Sequence, residues 1–465
     1  MVAERLSSLD LSFLCLEGTN TPMHLGAVLV FGKPEELADV DVDVAGRLAA
    51  VLRHRAAAVP RLRRKLAPMA FPLGAAAWVD DPAFDPAEHV HISTLPAPHG
   101  PVELATRTAE LLASPLDRSR PLWEMHVIGA LADGGVALLV KIHHALADGL
   151  RAVMLGMSLF DNPWQPTRDR EPAAADGLPT VGLLQGLLGA SNDAVTLTRR
   201  LLDPRTTRSE VTLRARQARD ATAIGASVAR HLLWPAPRSP INVPVGPERR
   251  FAMLRIDLDD IHAVRKRHRG TVNDVLLAVV AGGLRRWLTD RGDLVRGPLR
   301  ALVPVSRPHP DPQDTAGNLL SGYLVDLPID EPDPLTRLAA VRTAMAANRA
   351  AGPARGPGAF PTLANLLPPL LHRLAGPVAA PASSMLFNTV ITQVPLPELN
   401  LTLAGIRLTE IYPVVPLAAG QALGVAVSTF RGTAHVGLHA DYAALPDLDQ
   451  LGSHLTGALT ELLDA

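Results

Sequence analysis

The chain has 465 residues, a formal net charge of −1 and 47% hydrophobic residues, enough to bury a large core and to divide into two or three domains of about 150 residues each. Near-zero charge excludes a nucleic-acid role driven by bulk electrostatics. Cys15 is the only cysteine, which excludes an intramolecular disulfide and a cysteine-based zinc site and fits a reducing compartment.

The amino terminus, Met1-Val2-Ala3-Glu4-Arg5, mixes acid with base and precedes no long apolar run, so no signal peptide is expected. No window of about 18 apolar residues predicts a transmembrane helix. From Met1 to about Pro166 strands and helices alternate: Ala27 to Phe31 reads as a strand, while Val40 to Arg55 and Val102 to Leu112 carry helical spacing. His89-Val90-His91 puts two imidazoles on one strand face, a conceivable ligand pair. With no third ligand nearby they read as ordinary surface histidines, and no metal site is expected. Val136 to Ile142, after Asp133-Gly134-Gly135, is a buried strand, and from Leu146 the positions Leu146, Leu150, Val153, Met154 and Met157 change to helical spacing.

Between Thr167 and Pro247 a charged, Pro-rich stretch leads into leucines at helical spacing, from Leu183 to Leu202, which predicts a helical connection between two lobes. In the second lobe Thr271-Val272-Asn273-Asp274 opens a helix to about Leu288, with Thr271 as N-cap and Asp274 completing a capping box. Ala301 to Val305 is an edge-tolerant strand, because Pro304 lacks a ladder donor. Ala350 to Pro361, rich in Gly and Pro, reads as a surface loop. The stripe Leu363, Leu366, Leu367, Leu370, Leu371 and Leu374, broken by Pro368 and Pro369, reads as a kinked core helix, with a membrane-touching surface element as the alternative. Leu423 to Phe430 and Ala434 to Ala440 flank Arg431-Gly432 as a hairpin, and Leu448 to Leu463 is a closing amphipathic helix. The expected division is 1–166, 167–247 and 248–465.

The segment with most chemical content is His143-His144-Ala145-Leu146-Ala147-Asp148-Gly149. Side chains alternate across a strand, so His144 shares a face with Val140 and Ile142, and His143 shares the other with Leu139 and Lys141. The two rings therefore point apart, which argues against a shared metal ion roughly 2 Å from both and fits one working imidazole, His144, as a general base, the alternative being a satisfied histidine at a strand end with Asp148 as a helix cap. Asp148 falls at the first turn of the following helix. It either orients the imidazole or pairs with an arginine to hold the loop, and Gly149 allows a close backbone approach.

His143 to Gly149 has the form HHxxxDG of the CoA-dependent acyltransferase superfamily. Leu6-Ser7-Ser8-Leu9-Asp10, Phe13, Glu17 and Pro22-Met23-His24-Leu25-Gly26 resemble the amino-terminal signature of bacterial wax ester synthase/diacylglycerol acyltransferases. Pro115-Leu116-Asp117-Arg118-Ser119-Arg120-Pro121-Leu122-Trp123-Glu124 resembles that family's PLW motif, and Ile241-Asn242 with Gly246-Pro247-Glu248-Arg249-Arg250, the Asn273-Asp274 pair, Val303 to Ser306 and Gly317-Asn318 follow in the family's order. The chain departs from the family at Thr392-Gln393-Val394-Pro395-Leu396-Pro397, where a serine-asparagine pair and a glycine are usual.

The resemblance implies an α/β (α+β) fold of two chloramphenicol-acetyltransferase-like lobes with an active-site tunnel between them. It implies transfer of an acyl group from acyl-CoA to diacylglycerol or a fatty alcohol, with His144 as base in a ternary complex and no acyl-enzyme. Acyl-CoA is then a cosubstrate, and no cofactor is implied. Asp148 becomes a loop-shaping residue with Arg307 as its expected partner, His143 and Gly149 support it, and Asn273, Thr392 and Gln393 are expected to meet substrate. Trp123 and Glu124 are expected to give packing and support. The implied setting is cytoplasmic, peripheral to an inner membrane or lipid inclusion. The alternatives are a condensation-type N-acyltransferase and a lipid-surface binding protein with a vestigial site.

Overall fold

The computed structural model describes residues 3–33, 43–69, 74–161, 235–237, 239–293, 295, 297–306, 320–351, 369–396 and 399–465. Two six-stranded sheets form its framework, with a three-stranded sheet at one side. The small sheet joins β1 (Glu4–Arg5), β4 (Ala76–Asp80) and β3 (Arg64–Pro68). The first large sheet runs in the order β12 (Thr402–Leu403), β13 (Ile406–Val414), β2 (His24–Phe31), β7 (Val136–His143), β6 (Trp123–Gly129), β5 (Val90–Thr94). The second runs β10 (Leu320–Leu327), β9 (Leu299–Ser306), β11 (Thr389–Pro395), β14 (Leu423–Phe430), β15 (Thr433–Asp441), β8 (Arg249–Asp257).

The helices described are α1 (Ser8–Leu16), α2 (Val44–Ala58), α3 (Pro101–Ala113), α4 (Gly149–Met157), α5 (Leu258–His268), α6 (Val272–Asp290), α7 (Pro334–Ala351), α8 (Pro369–Leu386) and α9 (Leu448–Asp464). Local chemistry places several of their ends. The Ser7 hydroxyl accepts from the Asp10 N–H to start α1, and Asp43 accepts from the Gly46 N–H to start α2. The expected box at Thr271 is complete: its hydroxyl accepts from the Asp274 N–H while the Asp274 carboxylate accepts from the Thr271 N–H. Arg431 (φ 51°) and Gly432 (φ 74°) supply the two positive dihedrals of a tight hairpin turn between β14 and β15.

Strand alternation divides the second sheet into two faces. Val303, Val325, Ile391, Val425, Val427 and Val436 meet Leu277 and Leu284 of α6, Val341 of α7 and Leu455 of α9 in the largest core. The opposite face carries Leu302, Leu324 and Val390, which pack with Leu386 and Phe387, and then His435, Gly437 and His439, which meet β13 and the residues after it. The seam is tight: a Cβ on Gly437 would lie 2.2 Å from the Pro413 carbonyl oxygen.

Four expectations change. Residues 402–414 sit in the first sheet, so the expected boundaries are crossed, because β13 finds its ladder against β2 rather than in the second sheet. Strand β9 lies one position in from the edge. Its pairing with β11 ends at Leu302, however, so the missing N–H of Pro304 leaves no bond unmade on that side. His89 is buried, with its Nδ1 2.8 Å from the Trp123 carbonyl oxygen and its ring stacked on the Trp123 indole, whereas His91 stacks on His126. Leu370, Leu371 and Leu374 are exposed rather than core, at 43%, 45% and 66%. Residues 162–234, 307–319 and 352–368 lie outside the described residues. They include most of the predicted helical connection, Arg307, most of the Gly/Pro-rich loop and the first half of the leucine stripe.

Candidate active site

Strand β7 ends at His143, and the chain turns at once. The Leu146 N–H donates to the His143 carbonyl (2.8 Å), and the His144 N–H donates to the Met23 carbonyl (2.8 Å). His24 is the cross-strand partner of His143, so the amino-terminal segment lies directly against the histidine pair. Nδ1 of His143 accepts from the Ala145 N–H at 3.0 Å, which assigns the proton to Nε2, and Nε2 faces Glu17 Oε2 at 3.5 Å. The His144 ring goes the other way and stacks on Phe13, with centroids 4.0 Å apart and planes inclined by 17°.

Glu17 is the electrostatic hub. Its carboxylate accepts from the Met23 N–H (3.1 Å) and from the Arg118 guanidinium (Nε, 3.0 Å), and faces His143 and His24. Burial works against its ionisation, but the bonds and charges of His143 and Arg118 win and bring its pKa down to about 2. Beneath the pair lies the fully buried Lys141 ammonium, held by the carbonyls of Leu111 and Ser114 and by Glu124 at 3.3 Å. Trp123 is also fully buried, and its indole N–H donates to the Leu62 carbonyl.

Burial pulls His144 down to about 4, opposed in part by its own main-chain carbonyl and by the Asp148 charge. The ring is therefore a neutral proton acceptor across the physiological range. Burial, then the Lys141 charge, takes His24 to about 3, and burial takes His435 and His439 to about 4. These four rings are neutral when folded, while an unfolded histidine protonates near 6.5. The unfolded chain then binds more protons between about pH 6.5 and pH 4, so folding stability falls as pH drops through that window. Thermal melts from pH 7 to pH 4.5 are expected to lose about 5–10 °C in Tm. A flat profile would contradict the neutral-histidine assignment.

Asp148 is the N-cap of α4, where its Oδ1 accepts from the Arg151 N–H at 2.9 Å. Its expected partner Arg307 lies outside the described residues. An arginine does hold the loop from another side: Arg61 Nε donates to the Leu146 carbonyl at 3.3 Å, its guanidinium pairs with Glu4, and it lies over the Trp78 ring at 4.8 Å. Gly149 does not serve a close backbone approach, since a Cβ there would meet no atom within 4 Å. The missing side chain instead leaves open space at the start of α4.

The other expected residues come from the second sheet's lobe. Asn273 occupies the first turn of α6, and the box beside it is made by Thr271 and Asp274. Thr392 and Gln393 are consecutive on β11, so they face opposite ways. Thr392 shares the Val390 side, turned away from α6, α7 and α9, and Gln393 shares the Ile391 side, turned toward them. Only Thr392 therefore lies on the face that looks toward the first sheet, and among the described contacts none joins Asn273, Thr392 or Gln393 to His144. Phe13, Glu17 and Arg118 had no role assigned from sequence, although each stands in a quoted motif or beside one. Nothing in the sequence singled out Arg61.

A family model described as the wax ester synthase/diacylglycerol acyltransferase catalytic domain matches residues 6–276, and one for the C-terminal domain matches residues 316–463. A putative diacylglycerol O-acyltransferase of Mycobacterium tuberculosis (strain CDC 1551 / Oshkosh) is 32% identical, covering 99% of this chain and 90% of that protein. A probable diacylglycerol O-acyltransferase of strain ATCC 25618 / H37Rv is 31% identical over 98% and 95%. Among solved structures, a wax ester synthase/diacylglycerol acyltransferase from Marinobacter aquaeolei VT8 superposes with a TM-score of 0.69 at 27% identity, with 98% of each chain covered. The starter condensation domain of rhizomide synthetase, a mutant in complex with C8-CoA and Leu-SNAC, superposes with a TM-score of 0.59 at 15% identity, covering 99% of this chain and 94% of that one, a likeness of fold alone.

Proposed function

The chain belongs to the wax ester synthase/diacylglycerol acyltransferase family, and from that premise we propose that it transfers an acyl group from acyl-CoA to the hydroxyl of diacylglycerol, with long-chain alcohols as overlapping acceptors. The observation that carries the chemistry is a neutral His144 imidazole stacked in place at the end of β7. The alcohol O–H gives its proton to His144 as its oxygen attacks the thioester carbonyl. Collapse of the tetrahedral intermediate expels the CoA thiolate, which takes the proton back. Neither a nucleophilic side chain nor a resident cofactor enters this scheme. Asp148 shapes the loop, His143 supports it from behind, and Gly149 keeps the approach open. Thr392 is the better placed of the β11 pair for a polar contact to substrate, with Asn273 and Gln393 in supporting positions.

The purified protein given palmitoyl-CoA and diolein is expected to release CoA and form triacylglycerol, and with hexadecanol to form a wax ester. Acceptance of an amine alone would overturn the proposal in favour of condensation-type N-acyl transfer. The curated relatives do not favour that outcome, being named as O-acyltransferases at 31–32% identity.

Acceptor and product are both lipids, so the site must meet a lipid surface. No helix among the described residues is long and apolar enough to cross a membrane. The exposed Leu370, Leu371 and Leu374 on α8 are the proposed contact: they cluster on one turn and α8 packs on α1 beside the histidine loop. Replacing all three by serine is expected to cut co-sedimentation with phosphatidylglycerol/phosphatidylethanolamine vesicles several-fold. Unchanged pelleting would remove α8 from the docking surface.

A further inference from the structure

We propose that α1 is a positioning clamp for the histidine pair, in which Phe13 holds the plane of the His144 ring and Glu17 holds both the His143 side chain and the His144 main chain. The inference rests on His144 being the base and adds two residues to which no role has been assigned.

Phe13 and Glu17 stand four apart at the end of α1, on one face of the helix, and the Glu17 N–H donates to the Phe13 carbonyl at 3.2 Å, so their spacing is fixed by main-chain geometry. His143 and His144 are consecutive residues whose rings diverge, so no single neighbouring side chain can hold both. A helix end crossing the end of β7 can, and α1 does so with one side chain for each ring.

The Glu17 carboxylate has a second hold. One oxygen accepts from the Met23 N–H, and the carbonyl of that same Met23 accepts from the His144 N–H. Glu17 thereby fixes the His143 ring directly and the His144 backbone through one residue. Arg118 ties down the clamp, bonding both the Glu17 carboxylate and the Leu14 carbonyl at the end of α1.

The flat stack does what a merely apolar neighbour would not. It removes rotation of the imidazole about its Cβ–Cγ bond, so the accepting nitrogen stays aimed as the substrate hydroxyl arrives. It also keeps water from one whole face of the ring.

Steady-state kinetics of Phe13→Leu, Phe13→Tyr and Glu17→Gln, with circular-dichroism melts on each, test the clamp. Phe13→Leu keeps the bulk and loses the plane. Its kcat is expected to fall at least about 10-fold with KM for palmitoyl-CoA within about 2-fold, while Phe13→Tyr recovers most of the kcat. A Leu variant with wild-type kcat, or one whose loss lies wholly in KM, overturns the Phe13 half. The second readout needs no turnover. In 15N-histidine spectra, with the His143 signals assigned by their absence in His143→Ala, both proteins are expected to show the Nε2–H tautomer that the Ala145 N–H fixes, and Glu17→Gln is expected to shift the His143 Nε2–H resonance because its carboxylate neighbour is lost. An unchanged His143 Nε2–H resonance in folded Glu17→Gln overturns the Glu17 half. Because the spectra read the clamp with no substrate present, failure of the proposed activity and failure of the clamp give different results.

Discussion

His144→Ala is expected to retain no more than about one part in a thousand of wild-type turnover, with the protein folded and its Tm close to wild type. General-base catalysis contributes roughly 10²–10⁴-fold, and the upper part of that range applies because, among the described residues, neither neighbouring histidine is turned toward the substrate side of His144. His143 faces Glu17, and His24 accepts from the Leu116 N–H behind the sheet. The substitution leaves Phe13 without its stacking partner but breaks no ladder bond, since His144 lies just past the end of β7. Residual turnover above about one tenth of wild type would remove His144 from the chemistry. An acyl group trapped covalently on the wild-type protein would remove the ternary-complex mechanism.

Gly26→Ala is expected to abolish accumulation of folded protein or to lower Tm by about 10 °C or more. Gly26 lies on β2, paired with Lys141 on β7 and with Val414 on β13. A Cβ there would stand 1.9 Å from the Val140 carbonyl oxygen, an atom of the ladder itself. A side chain could swing away, but a strand backbone bonded on both sides cannot, so β2 and β7 would have to separate. The same two strands bring His24 to His143, so activity falls with the fold. Gly149→Ala is the matched control: its Cβ meets nothing within 4 Å, so the variant is expected to melt with the wild type whatever its turnover. Wild-type stability for Gly26→Ala would mean that the two strands pair in another register.

Much of the site was legible because it is local. The end of β7, the divergence of His143 and His144 and the cap at Asp148 follow from the two-residue strand period and from helix-start chemistry within about ten residues. The capping box at Thr271, the Arg431-Gly432 turn and the closing helix α9 were legible for the same reason. Leu370, Leu371 and Leu374 of α8 read as core in preference to the surface alternative because helical spacing shows that a stripe exists and not what covers it.

By itself the sequence determined the family, the elements that carry the histidine pair and the divergence of His143 from His144, since each is written in a short stretch of chain where sterics and hydrogen bonding act between near neighbours. Only the tertiary structure decided what surrounds those residues. Glu17 meets Arg118 across a separation of 101 residues, and Arg61 meets the Leu146 carbonyl across 85. Residues 402–414 complete a sheet begun at His24, and the pleat of β11 divides Thr392 from Gln393 once its two faces have different neighbours. Such contacts depend on which surfaces the folded chain brings together, and no local periodicity encodes that.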